Sequence, residues 1–273
     1  MTAAFITPLV SRVLTTLALL AVFIPAVLWA PAWLWAILMA GVIGVSAFEW
    51  GRLSSFPVLS SRIYAVLLAL VALGLPYGLG EDWPYIQTGL VVLAIAFWLL
   101  VAPLWLLGQW HARQVFVRAA VGVVVLLPTG AALLYLHARG PGVLLAVMAV
   151  VWIADTAAYF SGRHFGRHRL APDISPGKTW EGVAGAFAAL SLYAGVLSFW
   201  TEIPLMGLLL VLFGLLYLSV LGDLFESWIK RVSGMKDSGN MLPGHGGVLD
   251  RIDALTSTLP IATGMLMWLE RSV

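Results

Sequence analysis

An all-α, polytopic transmembrane bundle of about nine helices, with its N-terminus in the cytoplasm, is the fold class this sequence predicts. Three observations predict it. The first is composition. Of 273 residues, 61% are hydrophobic and 10% charged, and the mean hydropathy is +0.97. A soluble domain carries roughly 25% charged residues, and this chain has too few polar groups to face water all round. The second is the length of its apolar runs, which match the roughly 17–25 residues that cross a bilayer. The third is the placement of its basic residues.

Taken in order, the first run follows Arg12 and covers 13–30. No small-residue cleavage site stands out after it, so it is read as a helix that stays rather than a removed signal peptide. Pro31 turns the chain tightly into the second run, 32–48, which suggests a helical hairpin. The third, fourth and fifth runs cover 63–80, 85–107 and 117–137. The sixth, 141–160, contains Asp155, and the eighth, 205–225, contains Asp223. The seventh covers 182–200 and the ninth 254–270. No repeat or low-complexity stretch divides the chain. It reads as one membrane domain, mainly hydrophobic over 1–140 and motif-bearing over 141–273.

Basic residues test that count, because they concentrate on the cytoplasmic side. Thirteen of the 15 Lys and Arg residues fall in the N-terminal tail and in every second gap: Arg12; Arg52 and Arg62; Arg113 and Arg118; then two clusters, after the sixth run and after the eighth. The opposite side keeps Arg139 and Arg271. A wrong helix count would scramble this alternation. All three lysines, Lys178, Lys230 and Lys236, sit in the two longest cytoplasmic gaps, 161–181 and 226–253.

Two function classes fall away early. With no cysteine there is no disulfide, thiolate metal site or cysteine nucleophile. A net charge of +2 is too small to suggest nucleic-acid binding.

The carboxylates carry more information. Asp155 and Asp223 lie at or near membrane depth, where an unpaired carboxylate is expensive. Each therefore needs an ion-pair partner, a metal or water. If the eighth helix continues, Asp223, Glu226, Ser227 and Lys230 share one face, directed toward the cytoplasmic loop. Lys236-Asp237-Ser238-Gly239-Asn240 reads as a flexible loop. Pro243-Gly244-His245-Gly246-Gly247 permits left-handed turns and close backbone approach, and its N–H groups suit an anion. Asp250 and Asp253 are three apart and share a face at the start of the ninth helix. With Asp223 they make the oxygen-rich set that Mg²⁺ prefers. The alternative is that Asp250 and Asp253 complement the helix N-terminus.

The gap after the sixth helix offers a second half. Gly177-Lys178-Thr179 resembles the end of a P-loop but fails the pattern, since Pro172 stands where the first glycine belongs. Pro176 fits the first turn of a helix. Lys178 would then stand at a helix N-terminus, a position made favourable by a phosphate between them. Asp155, Tyr159 and Arg163 form a polar stripe down an apolar helix. The inventory is acidic metal ligands, phosphate-binding cations and a Gly-rich turn, with no Ser–His–Asp pairing. It suits phosphoryl or nucleotidyl transfer.

Ser227-Trp228-Ile229-Lys230-Arg231, Lys236-Asp237, His245-Gly246-Gly247 and Asp250-Arg251-Ile252-Asp253 closely resemble the signature of the bacterial phosphatidate cytidylyltransferases, also called CDP-diacylglycerol synthases. Asp155-Thr156-Ala157-Ala158-Tyr159 and Ser175-Pro176-Gly177-Lys178-Thr179-Trp180-Glu181-Gly182 resemble the same family, with Gly177 where many members are expected to have Lys. The resemblance implies transfer of CMP from CTP to phosphatidic acid, giving CDP-diacylglycerol and pyrophosphate. It further implies Mg²⁺, K⁺ as a second cation, a homodimer, and an inner-membrane location facing the cytoplasm. Asp223, Asp250 and Asp253 would surround the metal, and with Lys236 and His245 they form the expected catalytic set. Lys178, Thr179, Lys230, Arg231, Lys236, Gly246, Gly247, Arg251, Asp155, Tyr159 and Ser227 are the expected contacts to CTP and the lipid phosphate. Lys178→Ala is expected to raise the KM for CTP.

Three rivals share parts of this pattern. A CTP-dependent lipid kinase would release CDP instead of pyrophosphate. A CDP-alcohol phosphotransferase should have Gly directly after the second Asp of an Asp-x-x-Asp pair, and Ala254 follows Asp253. A transporter should carry its charges along a mid-membrane path, whereas these lie on one side.

Overall fold

The computed structural model describes residues 8–78, 80–112, 114–242 and 244–272, with side chains described from residue 14 to 271. Arg113 and Pro243, used in the reading above, lie outside the described residues, as does the side chain of Arg12. The architecture is an all-α membrane bundle. Its elements are α1 (Pro8–Trp29), α2 (Ala32–Leu53), α3 (Val58–Gly78), α4 (Trp83–Ala96), α5 (Ala102–Leu107), α6 (Val115–Ala138), α7 (Pro141–Phe165), α8 (Trp180–Trp200), α9 (Leu205–Val232) and α10 (Leu249–Ser272). Among the described residues eight spans are long and apolar enough to cross a membrane, and Leu14–Trp29 is a shorter apolar helix. Helices α4 and α5 form one such span, Gly80–Leu107, joined by a wide π-type turn at Phe97–Val101. Pro103 explains that turn. It has no N–H to give and its ring crowds the carbonyl one turn back, so the ladder widens there.

Two expectations need correction. Pro176 does not open a helix. Residues 169–179 form a two-stranded antiparallel hairpin, β1 (Arg169–Ala171) and β2 (Ser175–Thr179), with Pro176 and Lys178 on β2. Helix α8 starts at Trp180, and its cap is Thr179, whose hydroxyl accepts from the Gly182 N–H at 3.1 Å. A β-region Thr that satisfies an orphan N–H is a stronger start signal than Pro176. Thr179→Ala is expected to lower stability by about 1 kcal/mol, read as a thermal shift in micelles.

The second correction concerns α9. It runs on to Val232, and its polar face turns into the bundle, not toward the loop. Glu226, Ser227 and Lys230 are all buried. Phe225, on the same turn, packs edge-on against Phe97, Trp98 and Trp105 of the α4–α5 span, at centroid separations of 5.3, 5.6 and 5.8 Å. That aromatic cluster seats the polar end of α9 on an apolar base.

Close helix crossings bring the site together. A Cβ on Gly222 would meet the Ser257 hydroxyl and would come within 2.8 Å of the Asp253 carbonyl. Its absence lets α9 lie against α10, where Ser257 Oγ donates to the Leu218 carbonyl at 2.7 Å. A Cβ on Gly185 would meet Ser161, so α7 and α8 also pack through small residues. Gly222→Val is expected to cost about 1–3 kcal/mol of stability by overpacking. It should also remove most turnover, because Asp223 is the next residue. Parallel melting and activity measurements check both.

Candidate active site

Five elements converge at one end of the bundle: the last turns of α7, the β-hairpin, the start of α8, the last turns of α9 and the start of α10. Lys178 on β2 pairs with Asp223 on α9 at 2.6 Å, both side chains being partly exposed. Ser227 Oγ donates to the other Asp223 oxygen at 3.2 Å. Asp155 on α7 lies within electrostatic reach of Lys178, Asp223 and Arg251. Asp155, Lys178 and Asp223 line one end of a cavity of about 280 Å³. Much of the rest of its wall is apolar, with Ala154, Ala158, Val183, Ala186, Leu216 and Val220, and Tyr159, Ser175, Thr179 and Ser219 add hydroxyls.

Below it is a buried network. Lys230 donates to Glu226 at 3.1 Å, one turn back on α9, and to Asp250 Oδ1 at 2.6 Å on α10. Asp250 Oδ2 accepts from the Ser238 N–H at 3.0 Å and the Gly247 N–H at 2.8 Å, with Ser238 Oγ 2.9 Å away. Both Asp250 oxygens are thus engaged by protein. The bond to Gly247 reaches three residues back, as the acidic member of a capping box does. Asp253 is placed differently. Its Oδ1 accepts from the Ala254 N–H at 2.7 Å, and it lies within electrostatic reach of Asp223, Lys230, Asp155 and Glu226. The two readings of the Asp250/Asp253 pair therefore separate. Asp250 supports the helix start, and Asp253 joins the acidic cluster.

One functional residue was not anticipated. Glu49, buried on α2, accepts from the Val248 N–H at 3.1 Å and the Leu249 N–H at 2.8 Å. Ser238 Oγ lies 3.1 Å from the same carboxylate and shares its proton between Glu49 and Asp250. Glu49 thereby caps α10 at its positive end and pins the 236–248 loop. That loop was expected to be flexible, yet Ser238 is buried. A Cβ on Gly247 or Gly239 would strike Glu49 or Ser238.

A second cavity, of about 630 Å³, lies beside the start of α10. It is lined by Lys236, Asp237, Asn240, Leu242, Gly244, His245, Gly246 and Arg251. Gly244 and Gly246 have φ of 76° and 80°, left-handed values that make the turn. A Cβ on Gly246 would come within 2.7 Å of Asp250 Oδ2. His245 lies 3.2 Å from Thr16 Oγ1 on α1, through Nε2. Arg251 lines this cavity and lies within electrostatic reach of Asp155 in the first.

The anticipated residues divide accordingly. Asp155, Lys178, Asp223 and Asp253 come together; Lys236, His245, Gly246 and Arg251 come together; Ser227, Lys230, Asp250 and Gly247 link them. Three stand aside. Thr179 caps α8, Arg231 Nε donates to the Ile174 carbonyl at 3.3 Å and ties α9 to the hairpin, and the Tyr159 hydroxyl accepts from Arg163 at 2.8 Å on the cavity rim.

Whether the donors fit a cation is a question of number and charge. Among the described residues no group of three or more His, Asp or Glu side chains is arranged to hold a metal. Yet Asp155, Asp223, Glu226, Asp250, Asp253 and Glu49 form a linked set with only Lys178, Lys230 and Arg251. Six carboxylates against three cations leave an excess of oxygen ligands and negative charge. Mg²⁺ is commonly held by one or two carboxylates plus substrate phosphates. Asp223 with Asp253 fits that mode without a three-carboxylate cage.

Comparison with known proteins decides the family. The sequence pattern of the Cytidylyltransferase family matches residues 10–269. The chain belongs to that family. Its relatives include the phosphatidate cytidylyltransferase of Pseudomonas aeruginosa, 39% identical over 266 residues that span 93% of this chain and 96% of the relative. That of Haemophilus influenzae is 32% identical over 276 residues, 91% of this chain and 95% of the relative. That of Staphylococcus haemolyticus is 34% identical over 263 residues, 94% and 98%. A cytidylyltransferase needs a nucleotide site and an acceptor site, and this chain has two cavities of unlike character among the elements that converge here.

Proposed function

We propose that this chain is a phosphatidate cytidylyltransferase of phospholipid synthesis. A phosphate oxygen of phosphatidic acid bonds to the α-phosphorus of CTP. The bond from that phosphorus to the bridging oxygen breaks, and pyrophosphate leaves with the electron pair. CMP ends on the lipid phosphate as CDP-diacylglycerol. The observation that carries this reading is the unlike pair of cavities. One is apolar along most of its wall and ends in Lys178 and Asp223, which suits a lipid phosphate. The other is lined by Lys236, His245, Arg251 and a glycine turn, which suits a triphosphate.

The chemistry asks little of a general base. Phosphomonoesters have a second pKa near ~6, so the lipid phosphate is already an anionic nucleophile. The obstacle is repulsion between two polyanions. Lys178 holds the lipid phosphate, and in doing so leaves Asp223. Lys236 and Arg251 neutralise the triphosphate and the departing pyrophosphate. Lys230, buried between Glu226 and Asp250, positions Asp250 and through it the loop. A bound Mg²⁺ at Asp223 and Asp253 would supply charge neutralisation and polarise the α-phosphate. K⁺ as a further cation belongs to the same proposal. The site faces the cytoplasm of a bacterial inner membrane in this reading, supported by the thirteen of 15 basic residues on its side.

The cavities predict a division of kinetic effects. Lys236→Ala should raise the KM for CTP about tenfold and leave that for phosphatidate nearly unchanged, since one charge-assisted contact is lost. Lys178→Ala should do the reverse, in contrast to the expectation from its position in sequence. Pyrophosphate release in mixed micelles reads both. Equal shifts in both constants for both variants would contradict the assignment of cavities to substrates.

A further inference from the structure

At the opposite end of the bundle lies another cavity, of about 650 Å³, built from the start of α2, the end of α3, the start of α4 and the ends of α6 and α10. Its lining includes Arg139 and Arg271. These are the two basic residues that the alternation of charges leaves on this side. Cations are scarce here, and both that remain face one cavity. Arg139 pairs with Glu270 at 2.6 Å and lies over the Tyr135 ring at 4.7 Å. Tyr135 also donates to Glu270 at 2.7 Å, on the same oxygen that Arg139 holds, so the one carboxylate of the wall is paired with Arg139. Arg271 donates to a neutral partner, Thr88 Oγ1, at 3.2 Å. Glu81 and Asp82, on the turn before α4, are not part of the lining. The wall therefore carries one cation in excess.

The cavity also sits at a distinctive depth. Trp29, Trp33, Tyr77, Tyr85 and Trp268 are exposed around this end. Such a girdle marks the level of lipid headgroups. Trp35, buried in the wall, stacks on His137 at 4.5 Å and gives the cavity a firm floor.

We propose that this cavity binds the phosphate of an anionic phospholipid, as a lipid site separate from the substrate cavities. Arg271 is the principal contact and Arg139 the second, with the acyl chains running along the exposed apolar faces of the neighbouring helices. The excess cation matches a single phosphodiester charge, and the aromatic level places that phosphate within reach. Planar guanidinium groups suit phosphate oxygens better than an ammonium would.

The test is native mass spectrometry of the purified full chain released from micelles containing phosphatidylglycerol. Wild type should retain one lipid with an apparent affinity at least ~10-fold above Arg271→Gln, as expected for loss of a charge-assisted contact. Arg271→Gln keeps the Arg139–Glu270 pair, so it guards against misfolding. Its lipid-free melting temperature and CMP transfer should match wild type. Arg139→Gln/Arg271→Gln should abolish retention. Lys178→Ala, altered at the other end, should retain the lipid as wild type does. Equal retention by wild type and Arg271→Gln would overturn the proposal, as would loss of retention in Lys178→Ala, which would place the lipid in the substrate cavity. Release of the lipid by millimolar inorganic phosphate alone would show a site for the free anion and would equally overturn it.

Discussion

Asp253→Asn is expected to lower turnover by about 10³-fold while leaving the melting temperature unchanged or slightly raised. The two halves of this expectation have one cause. Asp253 lies within electrostatic reach of Asp223, Asp155 and Glu226, with Lys230 as its nearby cation. Removing its charge relieves repulsion among like charges, so folding loses nothing. Catalysis loses a carboxylate that would hold the divalent cation between two polyanionic substrates, and such electrostatic terms are worth several kcal/mol in the transition state. The amide is nearly the same size, so packing around it persists. Melting in micelles, set beside pyrophosphate release at saturating substrates, reads both. A variant with near-normal turnover would remove Asp253 from the reaction.

Lys230→Met is expected to act in the opposite sense, on folding before catalysis. The ammonium is buried and holds Glu226 and Asp250 together across two helices. Methionine fills the volume but leaves two carboxylates without their cation. Breaking one side of a buried pair costs about 3–5 kcal/mol, a large part of a membrane bundle's margin. Adding Glu226→Gln to Lys230→Met should recover part of that loss, because one stranded charge is gone. Glu49→Ala belongs to the same group. It strips the Val248 and Leu249 N–H groups at the start of α10 of their acceptor and leaves the Ser238 hydroxyl only Asp250. Thermal unfolding of the three variants orders the effects. If Lys230→Met alone melted like wild type, the network would not be holding α9 to α10.

Much of this was legible in the sequence, for physical reasons that differ by feature. The spans are set by bilayer thickness, so hydropathy finds them without knowing their neighbours. The acidic residues of α9 and α10 stand out because a charge within an apolar run is expensive and must have a purpose. What was not legible is long-range. Glu49 reads as one carboxylate just past an apolar run, and its partners lie some 190–200 positions away. No local pattern connects them. The hairpin at 169–179 was hidden by Pro176, which suits a helix start as well as a strand whose N–H faces outward. Thr179 before Trp180-Glu181 was the better signal, a capping hydroxyl followed by an acid in the first turn. The separation of Asp250 from Asp253 needed coordinates, since residues three apart on a helix share a face whatever they touch.

That separation shapes the account of catalysis. Asp250 spends both oxygens on Lys230, Ser238 and Gly247, so it sets the loop that walls the second cavity. Asp223 gives one oxygen to Lys178 and one to Ser227, both of which substrate can displace. In the proposed reaction Asp223 thus exchanges its present partners, over a base, Lys230 with Glu226 and Asp250, that keeps its own.

The central claim is that CMP passes from CTP to a lipid phosphate at this site. Two preparations of CTP, labelled at the α- or at the γ-phosphate, test it most directly in mixed micelles with phosphatidic acid and Mg²⁺. The α label should move into the lipid phase and the γ label should leave as pyrophosphate, in equal amounts. A γ label in the lipid with the α label left in CDP would contradict it.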